Sequence, residues 1–288
     1  MVRERASELG VQSAAITFDP HPLACLAPER APTPISTLEQ RTRLIEATGI
    51  DVLLIQKFTE EFSCLPAEGF IDRYFISGLN AQALCVGDNF RFGHKHRGDI
   101  HTLRASKRNF EVVEVPAVII GEGPVSSSRL RGEIVQGRVR EARRLLGRYY
   151  EVQGNIVSGR GRGGKITVPT LNLNPDNKLL PSDGVYLTRI AVEDEIWADA
   201  LTNVGIRPTF SETDRTVETH VLKRVPPEGG RRARLRFLVR LRDEQKFLNA
   251  AALREQIRHD RFHADKFFRR FERIQQGEAL ECAPQNLR

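Results

Sequence analysis

The sequence predicts an α/β region, then an all-β region, then a long closing helix, and three observations predict it. Up to about residue 148, short apolar runs alternate with amphipathic segments; from Tyr149 to about Arg242, short β-type runs are separated by Gly, Pro, Asn and Asp; Glu244 to Gln276 is one helical pattern. Strand and helix in alternation imply a mostly parallel sheet flanked by helices, which takes ligands at the carboxyl ends of its strands. Closely spaced strands between turn residues imply a small barrel or sandwich.

In chain order, Val2 to Leu9 is charged and Ala/Leu-bearing and is followed by Gly10, where a helix stops. Ser13 to Phe18, Val52 to Ile55, Ala83 to Val86 and Phe110 to Val115 read as buried strands, and Leu38 to Ala47, Ala67 to Ser77 and Arg129 to Gln136 as helices. Right-handed crossovers require the first helix to connect an earlier strand to Ser13–Phe18, and no such strand precedes it in the sequence. In the second region "YEVQGNIV", "GVYLTRIAV", "TVETHVL" and "RLRFLVRL" are the strands. Phe247, Leu253, Ile257, Phe267, Phe268 and Phe271 form the face the last helix lays over them. The domains are therefore expected at 1–148 and 149–276, with 277–288 a loose tail.

Composition bounds the function. The chain has 288 residues, 40% apolar and 28% charged, which suits two globular domains. Cys25, Cys64, Cys85 and Cys282 contain no C-x-x-C pair and are expected as reduced, mostly buried thiols. No apolar run reaches the ~20 residues of a membrane helix, and no signal-peptide layout opens the chain, so a cytoplasmic protein without membrane contact is expected. The net charge of +7 suits anionic partners, but the positive charges are scattered. The densest group, Arg129 to Arg148, lies on a helical stretch without interleaved aromatics, which favours a solvated face or phosphate handling over nucleic-acid binding.

Several stretches carry polar chemistry. In "VSGRGRGGKITVPTLN", Gly159, Gly161, Gly163 and Gly164 let backbone amides approach an anion, with Arg160, Arg162 and Lys165 adding charge. This is a phosphate cradle or, equally, an ordinary Gly/Arg hairpin; it is not a Walker A loop. Thr170 and Asn172 stand two apart in an extended segment and share a side of the backbone. Two neutral oxygens suit a Mg2+ ion that keeps its waters and takes further ligands from phosphates, although Thr-x-Asn is also common turn chemistry. In "TVETHVL", Glu218, His220 and Leu222 face one way and Val217, Thr219 and Val221 the other. Glu218 is then either a solvated strand carboxylate or a general base for phosphoryl transfer.

In the first region, "CVGDNFRFGHKHRGD" leaves a strand end for a loop, where α/β sheets place ligand contacts. "VSSSRLR" opens a helix with Ser127, Ser128 and Arg131, a phosphate site or a plain serine cap. His94 and His96 have no third metal ligand at a suitable spacing and read as polar side chains facing solvent.

Taken together, "TFDPHP", "VGDNFRFG", "VSSSRLR", "PTLNL", "LLPSDGVY", "NVGIRPTF", "VETHVL" and "LRDEQKF", in that order, resemble the bacterial bifunctional riboflavin kinase/FMN adenylyltransferase family, also called FAD synthetase. The resemblance implies a Rossmann-like nucleotidyltransferase sheet followed by a riboflavin-kinase-type β-barrel with a C-terminal helix. It implies ATP, riboflavin, FMN and FAD as substrates and products, with Mg2+ as cofactor. In its terms the glycine loop and Lys165 surround ATP phosphates, Thr170 and Asn172 hold Mg2+, and Glu218 is the base acting on the ribityl 5′-hydroxyl. Asn203, Gly205, Arg207 and Thr209 match its "N-x-G-x-R-P-T" loop at the flavin and nucleotide pocket, and Arg242 and Glu244 its flavin-side segment. Asn89, Ser127, Ser128 and Arg131 fall in adenylyltransferase positions.

The sequence departs from that pattern in three places. Thr167-Val168-Pro169-Thr170-Leu171-Asn172 stands for the usual G-F-P-T-A-N, keeping the metal ligands but changing the bulk beside them. Ser126-Ser127-Ser128 stands for S-S-T and retains the hydroxyl. The family's opening strand and H-x-G-H loop have no counterpart, and none of His21, His94, His96, His101, His220, His259 and His263 forms that motif. A start assigned too late, or a shortened product that keeps the kinase, both account for this. Two readings from other classes stand beside the enzyme: a flavin- or nucleotide-binding regulator without catalysis, and a basic nucleic-acid binder.

Overall fold

The structure, a computed structural model, describes residues 1–106, 108–157, 170–193, 196–206, 215–222, 231–245 and 247–281, with side chains to residue 274. Contacts divide the chain into two compact units, Met1–Val125 and Ser126–Arg288.

The first unit begins with helix α1 (Val2–Leu9), which ends where Gly10 takes a left-handed φ of 66°. Strands β1 (Ala14–Asp19) and β2 (Val52–Lys57) pair in parallel, as do β3 (Ala83–Gly87) and β4 (Glu111–Val115). Among the described residues each parallel pair forms a two-stranded sheet. Short helices α2 (Pro22–Leu26), α3 (Leu38–Glu46), α4 (Glu60–Ser63), α5 (Ala67–Phe70) and α6 (Ile100–Ala105) surround them. Side-chain oxygens cap their starts: Thr37 Oγ1 accepts from the Gln40 amide at 3.1 Å and Asp99 Oδ1 from the Thr102 amide at 2.8 Å.

The helix expected over Ala67 to Ser77 continues from α5 as a π-turned segment, Ile71–Gly78, which buries Ile71, Tyr74 and Phe75. With Phe70 they form an apolar, largely aromatic layer against which Ile16 and Phe18 of β1, Leu54 of β2, Val86 of β3 and Val112 of β4 pack. Both parallel pairs thus lean on one apolar cluster. After β3, Phe90 and Phe92 stack at 5.3 Å, and Gly93, at φ 71°, lies so close to Ala67 that a Cβ would stand 2.7 Å from its backbone.

Two short strands, β5 (Ile119–Ile120) and β6 (Gly123–Pro124), close the first unit. The second unit starts at helices α7 (Ser127–Val135) and α8 (Val139–Leu146). Buried Val139, Ala142 and Leu145 form the inner stripe of α8, which packs on β7 (Tyr150–Val157) and β12 (Arg232–Arg242). The periodicity change at Tyr149 therefore falls within a compact unit that already contains these two helices. With β8 (Leu171–Pro175), β9 (Gly184–Val192), β10 (Ala198–Ile206) and β11 (Arg215–Val221), β7 and β12 close an antiparallel barrel of order β10-β11-β8-β7-β12-β9. Tyr150, Val152, Tyr186, Ile190, Leu235 and Phe237 fill it.

The last helix, α9 (Ala250–Glu281), starts later and runs further than the pattern Glu244 to Gln276 predicts. Asn249 Oδ1 accepts from the Ala252 amide at 2.9 Å and sets the start, leaving Glu244 and Phe247 outside the helix. Ala264 and Phe268, with Phe267 and Phe271, cover Val185, Leu187, Leu201, Leu222 and Leu238 on the barrel's outside. The cysteines depart from expectation too: Cys64 is exposed because it ends α4 in a surface turn, and Cys25 and Cys85 are only half-buried.

Candidate functional site

Barrel register brings the chemistry-bearing side chains of the second unit together. Asn203 of β10 lies opposite Glu218 of β11, and Glu218 lies opposite Asn172 of β8. Directly opposed residues share a face of the sheet, so Asn172, Glu218 and Asn203 form one row across three strands. That face is the outer one: Leu171, Leu173, Val217, Thr219, Thr202 and Val204 on either side are buried, while the row is half-buried. The alternation expected of "TVETHVL" is observed. Thr170 is exposed and precedes β8, two residues before Asn172.

Glu244 reaches the same row. Asn203 Nδ2 donates to Glu244 Oε1 at 3.4 Å, and a Cβ on Gly205 would stand 2.5 Å from that oxygen. A larger residue there would make the Glu244 carboxylate shift. Two register shifts in β12, between Phe237 and Val239 and between Arg240 and Arg242, are bulges that re-aim the strand end. Arg242 then meets Asp260 of α9: its Nε donates at 3.0 Å to Oδ1 and its Nη2 at 2.7 Å to Oδ2. Gln256 Nε2 donates to the same carboxylate at 2.9 Å, so the buried Asp260 is neutralised and hydrogen-bonded.

Three supports escaped the sequence reading. Asp260 is one; its signal was a carboxylate lying between Ile257 and Ala264 on the covered side of α9. A second is a hydroxyl ladder inside the barrel, Thr188 to Thr202 at 2.7 Å and Thr202 to Thr219 at 3.0 Å, which ties together the strands that carry Asn203 and Glu218. The third is Arg215, at the start of β11, which donates to the Pro181 carbonyl at 2.6 Å and pairs with Asp183, fixing the "LLPSDGVY" loop three residues before Glu218. Arg240 Nη2 donates to the Asp183 carbonyl at 2.7 Å from the other side.

Gly159, Gly161, Gly163, Gly164, Lys165, Arg207 and Thr209 lie outside the described residues. Asn89 is exposed in the turn after β3 of the first unit. Ser127, Ser128 and Arg131 belong to α7 in the second unit; the two serines are exposed in its first turn, and the cap is Ser126, whose Oγ accepts from the Arg129 amide at 3.2 Å. Burial pulls the Arg131 guanidinium below its ordinary value. His94 Nδ1 lies 3.1 Å from the Ser63 carbonyl and joins the loop to α4. Among the described residues no group of three or more His, Cys, Asp and Glu is arranged to hold a metal.

Residues 1–129 match the family described as FAD synthetase, and residues 146–268 the family described as riboflavin kinase. The bifunctional riboflavin kinase/FMN adenylyltransferase of Pseudomonas fluorescens is 32% identical over 262 residues, 90% of this chain and 84% of that protein. The chain belongs to the bifunctional riboflavin kinase/FMN adenylyltransferase family. The family member from Bacillus subtilis (strain 168) is 32% identical over 274 residues, 92% of this chain and 85% of its own. Members are transferases, kinase and nucleotidyltransferase in one chain, with ATP and flavins as substrates. A crystal structure described as a macrolide-efflux protein from Streptococcus pneumoniae has the same fold, at a TM-score of 0.81 and 28% identity over 90% of this chain and 84% of that one. Among the described residues no helix is long and apolar enough to cross a membrane.

Proposed function

We propose that this chain transfers the γ-phosphoryl group of ATP to the ribityl 5′-hydroxyl of riboflavin, giving FMN and ADP, on the outer face of the barrel. The observation that carries the reading is the row Asn172, Glu218, Asn203, fixed by barrel register at the border of the face that α9 covers. Glu218 takes the hydroxyl proton as that oxygen bonds to the γ-phosphorus, and the bond from phosphorus to the ADP oxygen breaks. Phosphoryl transfer needs little covalent help from protein, so positioning dominates. Asn203 and Glu244, with Gly205, Arg207, Thr209 and Arg242, shape the flavin and nucleotide pocket, and Gly159, Gly161, Gly163, Gly164 and Lys165 take the phosphates.

The donor chemistry fits Mg2+: a hydroxyl and an amide oxygen, hard and neutral, beside a carboxylate. Thr170 and Asn172 would hold the ion, which when bound offsets charge on the phosphates. A site of this kind suits small-molecule partners in the cytoplasm rather than a nucleic acid.

For the second family activity, Asn89, Ser127, Ser128 and Arg131 are the candidate phosphate contacts. Incubation of the chain with riboflavin, ATP and Mg2+, followed by chromatography of the flavins, tests both halves. FMN is expected to accumulate, and any FAD formed from it reports the second activity. Flavin binding without FMN would overturn the kinase reading in favour of a regulator, and FMN without FAD would count against the role given to Asn89, Ser127, Ser128 and Arg131.

A further inference from the structure

We propose that His259 and His263, one turn apart on the exposed side of α9, form a two-imidazole site for a borderline divalent cation such as Ni2+, Cu2+ or Zn2+. Their Nε2 atoms stand 3.2 Å apart, with ring centroids at 4.4 Å. Two nitrogen ligands at about 2.0–2.1 Å from one ion are about 2.9–3.4 Å apart in octahedral or tetrahedral geometry. The two rings therefore already hold the separation that a chelated ion requires.

At this separation one neutral ring can donate its Nε2–H to the Nε2 lone pair of the other. An ion replaces that single shared proton: the donor ring carries its proton on Nδ1 instead, and both Nε2 lone pairs bind the metal. No proton need be released. Spacing i,i+4 places both rings on one ridge of the helix. Glu255, four residues before His259, continues the ridge, and its carboxylate is paired with Arg258 at 2.9 Å. Lys266, three residues after His263, opposes the cation and sets the affinity below that of a three-ligand site.

Imidazole pairs favour the later first-row metals, whereas Mg2+ demands oxygen ligands, so the site is chemically separate from the magnesium chemistry at Thr170 and Asn172. It also lies on the turn that carries Asp260, whose carboxylate holds Arg242 on the barrel side. A cation chelated across the outer face would staple the turn that the Arg242 clamp depends on.

Calorimetric titration of the full chain with Ni2+ tests the proposal. One ion per chain is expected, with affinity reduced about tenfold or more in His259→Gln and in His263→Gln, because either change removes the intramolecular second ligand. The double variant is expected to lose the site, and hydrogen exchange in the unaltered chain should slow around residues 256–264 when Ni2+ is added but not when Mg2+ is. Titration of the double variant like the unaltered chain, no Ni2+ binding in the millimolar range, or protection elsewhere in the chain would each overturn it.

Discussion

In the barrel, β9 buries all but one of its nine residues, whereas every residue of β1 in the first unit is only half-buried. The two regions meet the same demand, to pair every strand and cover its apolar side, in different ways. A closed barrel has no edges and fixes its register all the way round, so polar residues on its outer face stand at defined positions. The first unit has two parallel pairs held through the aromatic layer of Phe70, Tyr74 and Phe75, and Ile55 of β2 remains 42% exposed. What this teaches is that a site of exact side-chain juxtaposition is carried by register, while the first unit's candidate Asn89 depends on a loop.

The largest stability effects should separate the two units. Phe268→Ala removes the fully buried ring that seats α9 and should destabilise the barrel unit by about 3–5 kcal/mol, and Phe70→Ala should do the same to the first unit. Calorimetry should show each variant lowering a different transition. A single transition that both variants shift equally would break the comparison.

Next in size is the clamp. Asp260→Ala leaves Arg242 partly buried without its carboxylate and should cost about 3 kcal/mol. Riboflavin KM should rise as well, with kcat less affected, and Asp260→Asn should recover part of the stability. Smaller again is Thr202→Val, which removes the middle of the hydroxyl ladder and should cost about 1–2 kcal/mol by denaturant melting.

The smallest effect is acid sensitivity of the first unit. The Ser13 hydroxyl and amide donate to Asp51 at 2.6 and 2.8 Å, and the Thr102 amide and hydroxyl donate to Asp99 at 2.8 and 3.0 Å. These bonds hold both carboxyls below the usual carboxylate range. A depressed folded value means that the stabilisation is complete above the unfolded pKa of about 3.9 and is lost as pH falls through the folded value. The first unit's melting temperature should therefore drop on acidification below about pH 4, and Asp51→Asn should flatten part of that slope.

Period-2 and period-3.6 patterns made most elements legible, because burial on one face leaves a trace in the order of residues. Glu218 was legible for the same reason: in "TVETHVL" the alternation alone puts it outside. That Asn172 and Asn203 flank it was not, since register between β8, β10 and β11 is set by the closed barrel, not by any one strand. The start of α9 was misplaced because Glu244 and Phe247 continue a helical spacing while Asn249 supplies the cap. An amphipathic stripe marks α7 and α8 as helices but does not say which core they meet. Asp260 hid in a helix rich in charge, and only the bulged end of β12 shows that its partner is Arg242.

The central claim is that the barrel row performs the phosphoryl transfer with Glu218 as its base, and Glu218→Gln tests it most directly. FMN production from riboflavin, ATP and Mg2+ should fall by about 10²–10⁴-fold, the usual range for a general base, while riboflavin affinity measured by fluorescence quenching stays within a few-fold of the unaltered chain. Turnover close to that of the unaltered chain would contradict the account.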